Sequence, residues 1–109
     1  MFGAGGKRDV QKREPMGRAA SVADTVVLTS DNPRDEDPAD IAREIARGLE
    51  GHPRVETRLD RRDAITWAVR GASRDDVVVL AGMGHEREQE RGGLRVPFVD
   101  ADVAREALR

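Results

Sequence analysis

Two short runs, Thr25-Val26-Val27-Leu28-Thr29 and Val77-Val78-Val79-Leu80-Ala81, constrain the fold more than any other feature of this sequence. Branching at Cβ restricts χ1 and favours extended backbone. The apolar residues of both runs are consecutive, whereas a strand with one wet face alternates. Continuous runs of this length suit strands buried on both faces of a parallel sheet. A third candidate, Val55-Glu56-Thr57-Arg58-Leu59, does alternate, which places it nearer a sheet edge.

Helical patterns separate these runs. Asp37 suits an N-cap, with Pro38 at the first helical position and Asp40 in the first turn. Ile41, Ile45 and Leu49 then recur every four residues and form one apolar stripe that ends near Gly51. A second helix starts at Asp60, buries Ala64, Ile65, Ala68 and Val69, and stops at Gly71. Shorter helices are expected around Met16–Ala23 and from Asp100 to Leu108, with an extended piece at Leu94–Val99. Strands alternating with helices imply an α/β domain: a mostly parallel sheet, right-handed crossovers, helices on both faces. Phe2-Gly3-Ala4-Gly5-Gly6 reads as the tail of a further, central strand. The first strand is therefore expected to be truncated, leaving an uncovered groove beside it, and the chain to be a fragment or one half of a split protein.

At 109 residues, one domain is expected. Charged residues make up 37% of the chain, yet the net charge is only -2, so no global field favours nucleic acid or an anionic membrane. No apolar run approaches the roughly 20 residues that span a bilayer, and the N-terminus has no signal-peptide core. Cysteine is absent, which excludes disulfides and thiolate metal sites and fits a cytoplasmic setting. Of the 19 basic residues only Lys7 and Lys12 are lysine, so a single surface arginine carries little functional weight.

In open parallel sheets ligands bind at the carboxyl ends of the strands. Three segments fall at such ends: Gly5–Asp9, Ser30–Arg34 and Gly82–Glu86. Pro33 forces Asn32 out of the helical region and stiffens the Asp31-Asn32-Pro33-Arg34 loop. The Arg34 guanidinium is a planar fork that matches a carboxylate, each charge-assisted bond contributing roughly 1.5–3 kcal/mol. Asn32 can donate to the same carboxylate, and Asp31 can accept from an ammonium or orient Arg34. A polar turn capping the next helix is the bland alternative. Gly82 and Gly84 let the backbone approach a ligand, and Glu86 can take an ammonium; a plain turn explains them equally well. His85 and His52 lack metal-ligand company, and no nucleophile is paired with a base, so neither a metal site nor a catalytic residue is assigned. Gly5-Gly6-Lys7-Arg8-Asp9 with Lys12 and Arg13 lacks the spacing of a P-loop.

The consecutive strings FGAGGKRDVQKREPMG, LTSDNPRDEDPADIAREIARGL, DRRDAI, VVVLAGMGHEREQ and PFVDADVAREAL resemble the C-terminal domain of the Mur ligases. The resemblance covers residues 1–109 and is strongest to the members that add diaminopimelate to the peptidoglycan precursor. It implies a Rossmann-like fold that holds the incoming amino acid against an acyl-phosphate made in a central ATP-binding domain. That domain and the UDP-sugar domain are outside this chain, so the chain alone is expected to be inactive. By the same resemblance Asp31–Arg34 selects diaminopimelate over lysine. Arg8, Asp31, Asn32, Arg34, Gly82 and Glu86 bind it, Arg34 and Asn32 at the distal carboxylate and Glu86 at the distal ammonium. Asp9, Lys12 and Arg13 are placed near the nucleotide. ATP and Mg2+ are implied for the complete ligase, held mainly by its central domain, with diaminopimelate and UDP-MurNAc-dipeptide as substrates. The missing domains, as a separate chain, are a conceivable partner. Lys7 and Met83 stand where the family has Asp and Lys, which weakens the nucleotide contacts. The alternatives are a stand-alone or degenerate amino-acid-binding module without catalysis, or the same domain of a Mur-type ligase for another amino acid.

Overall fold

Asp37 and Pro38 start a helix where the sequence says they should. A computed structural model describes residues 1–109, and in it the Asp37 carboxylate accepts the Ala39 N–H at 2.9 Å. The chain runs through α1 (Arg13–Ala20), β1 (Val26–Leu28), α2 (Pro38–Ala46), β2 (Val55–Thr57), α3 (Arg61–Gly71), β3 (Glu88–Arg91), β4 (Leu94–Pro97) and α4 (Asp100–Ala107). Short 3₁₀ turns, Val10–Lys12 and Arg47–Leu49, precede α1 and follow α2. Asp60 caps α3 by accepting the Asp63 N–H at 3.1 Å. Helix α1 begins at Arg13 rather than near Met16, because Pro15 is tolerated in a first turn, where no intrahelical donor is needed.

β1 is buried throughout and pairs in parallel with β2, Val26 opposite Val55 and Leu28 opposite Thr57. β2 is largely exposed, as its alternating sequence implies. On the other side of β1 lies Phe2. Its N–H donates to the Val27 carbonyl at 3.0 Å and its carbonyl accepts from Thr29 at 2.9 Å. Met1 in turn donates to the Val79 carbonyl at 2.9 Å and accepts the Ala81 N–H at 3.0 Å. The parallel order is therefore β2, β1, the Met1–Phe2 stub, then the Val77–Ala81 run. Here one expectation is corrected. The Val77–Ala81 run forms no regular strand, and Val77, Val78 and Val79 are 87%, 37% and 63% exposed. A strand exists through its ladder, and this run meets a partner only at Met1.

The core is built from Ala4, Val26, Leu28, Ile41, Ala42, Ile45 and Leu49, with Phe2, Met16 and Leu59 packed against it. α1 and α2 pack on each other and α2 on β1, while α3 meets β1 and carries α4. The antiparallel β3–β4 hairpin is the element that sequence reading lacks. It had only an extended piece at Leu94–Val99. Gly92 and Gly93 take φ of 52° and 79°, the double left-handed turn that closes a tight hairpin.

Candidate functional site

Three segments meet at the carboxyl ends of β1, the Met1–Phe2 stub and the Val77–Ala81 run. The Gly6 N–H donates to the Asn32 carbonyl at 2.8 Å, and the Arg34 Nη1 donates to the Gly6 carbonyl at 3.0 Å. A Cβ on Gly6 would lie 1.8 Å from the Pro33 carbonyl oxygen, so only glycine permits this approach. Gly82, with φ of 101°, faces the Asp31 carboxylate: a Cβ there would come within 2.9 Å of Asp31 Oδ2. Backbone contact thus ties Gly3–Gly6, Asp31–Arg34 and Gly82 into one rim.

The hairpin organises the central loop. Arg34 is left-handed (φ 55°), donates its N–H to the Glu90 carbonyl at 3.3 Å and accepts the Gly92 N–H at 2.9 Å. Asn32 Oδ1 accepts the Glu90 N–H at 2.8 Å, which leaves the amide NH₂ of Asn32 to donate elsewhere. Arg34 Nη1 also donates to the Asn32 carbonyl at 3.3 Å. The guanidinium edge formed by Nε and Nη2 remains, and the Glu90 carboxylate faces it with Nε at 3.6 Å. That edge can take a carboxylate bidentately. The orienting acid for Arg34 is therefore Glu90, not Asp31.

Burial raises the Asp31 carboxyl above the usual carboxylate range. The Arg61 charge, the Asn32 N–H and the Arg34 charge oppose that rise, and Glu86 adds to it. Glu86 is exposed, and its N–H donates to the Met83 carbonyl at 2.7 Å in a turn. Arg8 is exposed. Asp31, Asn32, Arg34 and Gly82 are brought together and the Glu86 charge acts on Asp31, while Arg8 makes no hydrogen bond or ion pair with them.

Of the residues placed near a nucleotide, Asp9 and Lys12 are exposed and paired with each other at 3.8 Å. Arg13 is different. Its side chain is 1% exposed, and its guanidinium donates to Glu36 at 2.6 and 2.8 Å, to Glu44, and to the Gly5 carbonyl at 3.2 Å. Such a buried cation, bonded to two acids, ties α1 to Glu36 and to α2. Glu36 also accepts the Lys7 N–H at 2.9 Å. Hydrogen bonding to Arg13, then to that N–H, holds the Glu36 carboxyl down to about 2. Met83 is 2% exposed and belongs to the core.

Sequence reasoning missed Gln89, Glu90, Arg61 and Asp100. Gln89 is buried and donates to the Asp31 carbonyl at 2.7 Å. The Gly92-Gly93 pair was the available signal, since a hairpin there lays Gln89 and Glu90 along the loop. A concavity of about 640 Å³ opens beside Arg34 and is lined by Ser30, Asp37 and Asp60 among others. Of the expected residues only Arg34 lines it, and its wall has a single hydrophobic residue, so the chemistry is read from the rim.

The family described as "Mur ligase, glutamate ligase domain" matches residues 1–84. A UDP-N-acetylmuramoyl-L-alanyl-D-glutamate–2,6-diaminopimelate ligase of Janthinobacterium sp. (strain Marseille) is 48% identical over 109 residues, 99% of this chain and 22% of the relative. Ligases of the same name are 47% identical in Aquifex aeolicus, over 99% of this chain and 23% of the relative. In Streptomyces coelicolor the identity is 48%, over 100% of this chain and 23% of the relative. A solved structure of a ligase with this name superposes with a TM-score of 0.91 at 45% identity, over 98% of this chain and 22% of that one. The chain thus spans less than a quarter of the length of the relatives it matches.

Proposed function

We infer the function from one premise: the chain belongs to the Mur ligase family and corresponds to its C-terminal domain. We propose that it is the amino-acid-binding domain of an ATP-dependent ligase that adds diaminopimelate to UDP-MurNAc-L-Ala-D-Glu in peptidoglycan precursor synthesis. The observation that carries this is the Arg34 Nε–Nη2 edge beside the free Asn32 amide, on a loop whose Asp31 carboxylate meets Gly82. A carboxylate arriving at that edge displaces Glu90, and Asn32 supplies a further donor. Glu86, on the opposite side, takes the ammonium of the same amino acid, and Arg8 closes the outer edge. Lysine, which has the ammonium but no distal carboxylate, leaves Arg34 and Asn32 unsatisfied and is rejected.

ATP and Mg2+ are assigned to regions that the longer relatives have outside this span. The residues of this chain do not fit such a group: Arg13 is consumed by Glu36 and Glu44, and no three acidic or histidine side chains converge. Its part is selection and placement of the amino acid, and the chain by itself ligates nothing. A cytoplasmic location follows from the UDP-linked substrate. No helix is long and apolar enough to cross a membrane.

The test is calorimetric titration of the chain with diaminopimelate and with lysine. Diaminopimelate binds and lysine binds far more weakly. Arg34→Ala removes one or two charge-assisted bonds, each roughly 1.5–3 kcal/mol, and weakens diaminopimelate binding at least about tenfold. Lysine binding does not change. An Arg34→Ala chain that keeps the wild-type preference defeats the reading.

A further inference from the structure

Arg61 opens α3, and its side chain is fully buried. Its guanidinium spends four donor contacts. Nε and Nη2 grip the two oxygens of Asp100 at 2.8 and 2.7 Å, Nη1 donates to the Ser30 carbonyl at 2.8 Å, and Nη2 donates to the Ala81 carbonyl at 3.1 Å. Those two carbonyls stand where β1 and the Val77–Ala81 run leave the sheet. A peptide unit is planar, so fixing the Ser30 oxygen fixes the direction in which the Asp31 N–H and the following chain depart. The Ala81 oxygen does the same for Gly82, a residue whose φ of 101° leaves it conformationally soft.

We propose that Arg61, held by Asp100, is a positioning residue that sets the spacing and orientation of the Asp31–Arg34 loop relative to the Gly82–Glu86 loop, and thereby the affinity for the amino acid. The second clause rests on the function proposed above; the first stands without it. Stability alone is a poor account of this pair. A buried ion pair is about as stabilising as an apolar pair of similar volume, or less so. What an apolar pair cannot do is bind two carbonyls from different strands with one rigid fork. Asp100 opens α4, and Arg62 in α3 bridges to Glu106 in α4 at 2.7 Å, so the fork is anchored on two packed helices.

The test uses Arg61→Lys, which keeps the charge and loses the fork, and the pair Arg61→Met with Asp100→Leu, which restores apolar burial. Hydrogen exchange is followed at the amides of Gly6, Arg34, Ala81 and Glu86, all bonded within or beside the rim, and at Val26 and Arg58 in the β1–β2 ladder. In the paired variant the rim amides exchange about tenfold faster while the ladder amides keep their wild-type rate, because the opening is local. Diaminopimelate binding weakens by about tenfold or more in both variants, the scale of loss expected when supporting residues let a site drift. If rim and ladder amides accelerate together, in proportion to global stability, Arg61 is merely structural and the proposal fails. It also fails if the paired variant keeps wild-type rim exchange. A wild-type chain with no affinity for diaminopimelate removes the proposed function, and the exchange comparison still decides the role of Arg61.

Discussion

Replacing Glu36 with glutamine separates what charge contributes to this fold from what shape contributes. Glu36 receives both nitrogens of the Arg13 fork and the Lys7 N–H, so its anionic form is held by three hydrogen bonds. Its carboxyl falls from the ordinary 4.5 to about 2. That gap corresponds to about 3 kcal/mol of stability. The side chain is 23% exposed, so water screens part of the interaction and about 1–2 kcal/mol is the working figure. Because folding depresses this pKa, the contribution is complete above the unfolded value near 4.5 and disappears as pH falls toward about 2.

Urea unfolding of wild type and Glu36→Gln at pH 7 and pH 3 reads this, since carboxylates remote from Arg13 cancel in the difference. The variant is less stable by about 1–2 kcal/mol at pH 7, and by less than half of that at pH 3. Glutamine keeps the size of the side chain and one acceptor oxygen, so packing is preserved. A difference that is the same at both pH values would refute the assignment of this stability to the Arg13–Glu36 charge pair.

Other perturbations follow from single contacts. Gly6→Ala drives a methyl into the Pro33 carbonyl, so the loop moves; expect a loss of about 1–3 kcal/mol in urea unfolding and loss of diaminopimelate affinity in titration. Ile45→Ala empties a site that is 0% exposed between α2 and β1 and lowers stability by about 2–5 kcal/mol, with a matching fall in thermal midpoint by circular dichroism. Asp37→Ala removes the α2 cap bond to Ala39 and costs about 1 kcal/mol, measured in the same melts.

Much of the fold is legible because its signals are local. The Asp37-Pro38 start, the Ile41–Ile45–Leu49 stripe, the Asp60 cap and the alternating Val55–Leu59 edge each lie within one turn or one strand, and the structure has them in place. Burial of the Val77–Ala81 run was not local. Its extended shape follows from β-branching, but coverage and a ladder depend on neighbours, and here Met1 is its one backbone partner across the sheet. The β3 strand was hidden for another reason: Glu88-Gln89-Glu90-Arg91 has no apolar residue and becomes a strand only because Gly92-Gly93 folds Leu94–Pro97 back onto it.

The arginines show the limit most clearly. In a chain where nearly every cation is arginine, discounting each one is sound, yet three of them organise the rim. Arg13 takes the Gly5 carbonyl, Arg34 those of Gly6 and Asn32, and Arg61 those of Ser30 and Ala81. Arg13 and Arg61 are held by acids 23, 31 and 39 residues away in sequence, separations at which no motif operates. Arg34 alone was legible, because its partner Pro33 is adjacent and its stiffness is a property of the chain itself. The separation is physical. A guanidinium whose fork is filled by a buried acid holds the backbone, whereas Arg34 faces only the partly exposed Glu90 at 3.6 Å and keeps an edge for a ligand. Arg34, the residue proposed to recognise the amino acid, is therefore the least satisfied of the three, and Arg13 and Arg61 are the most buried.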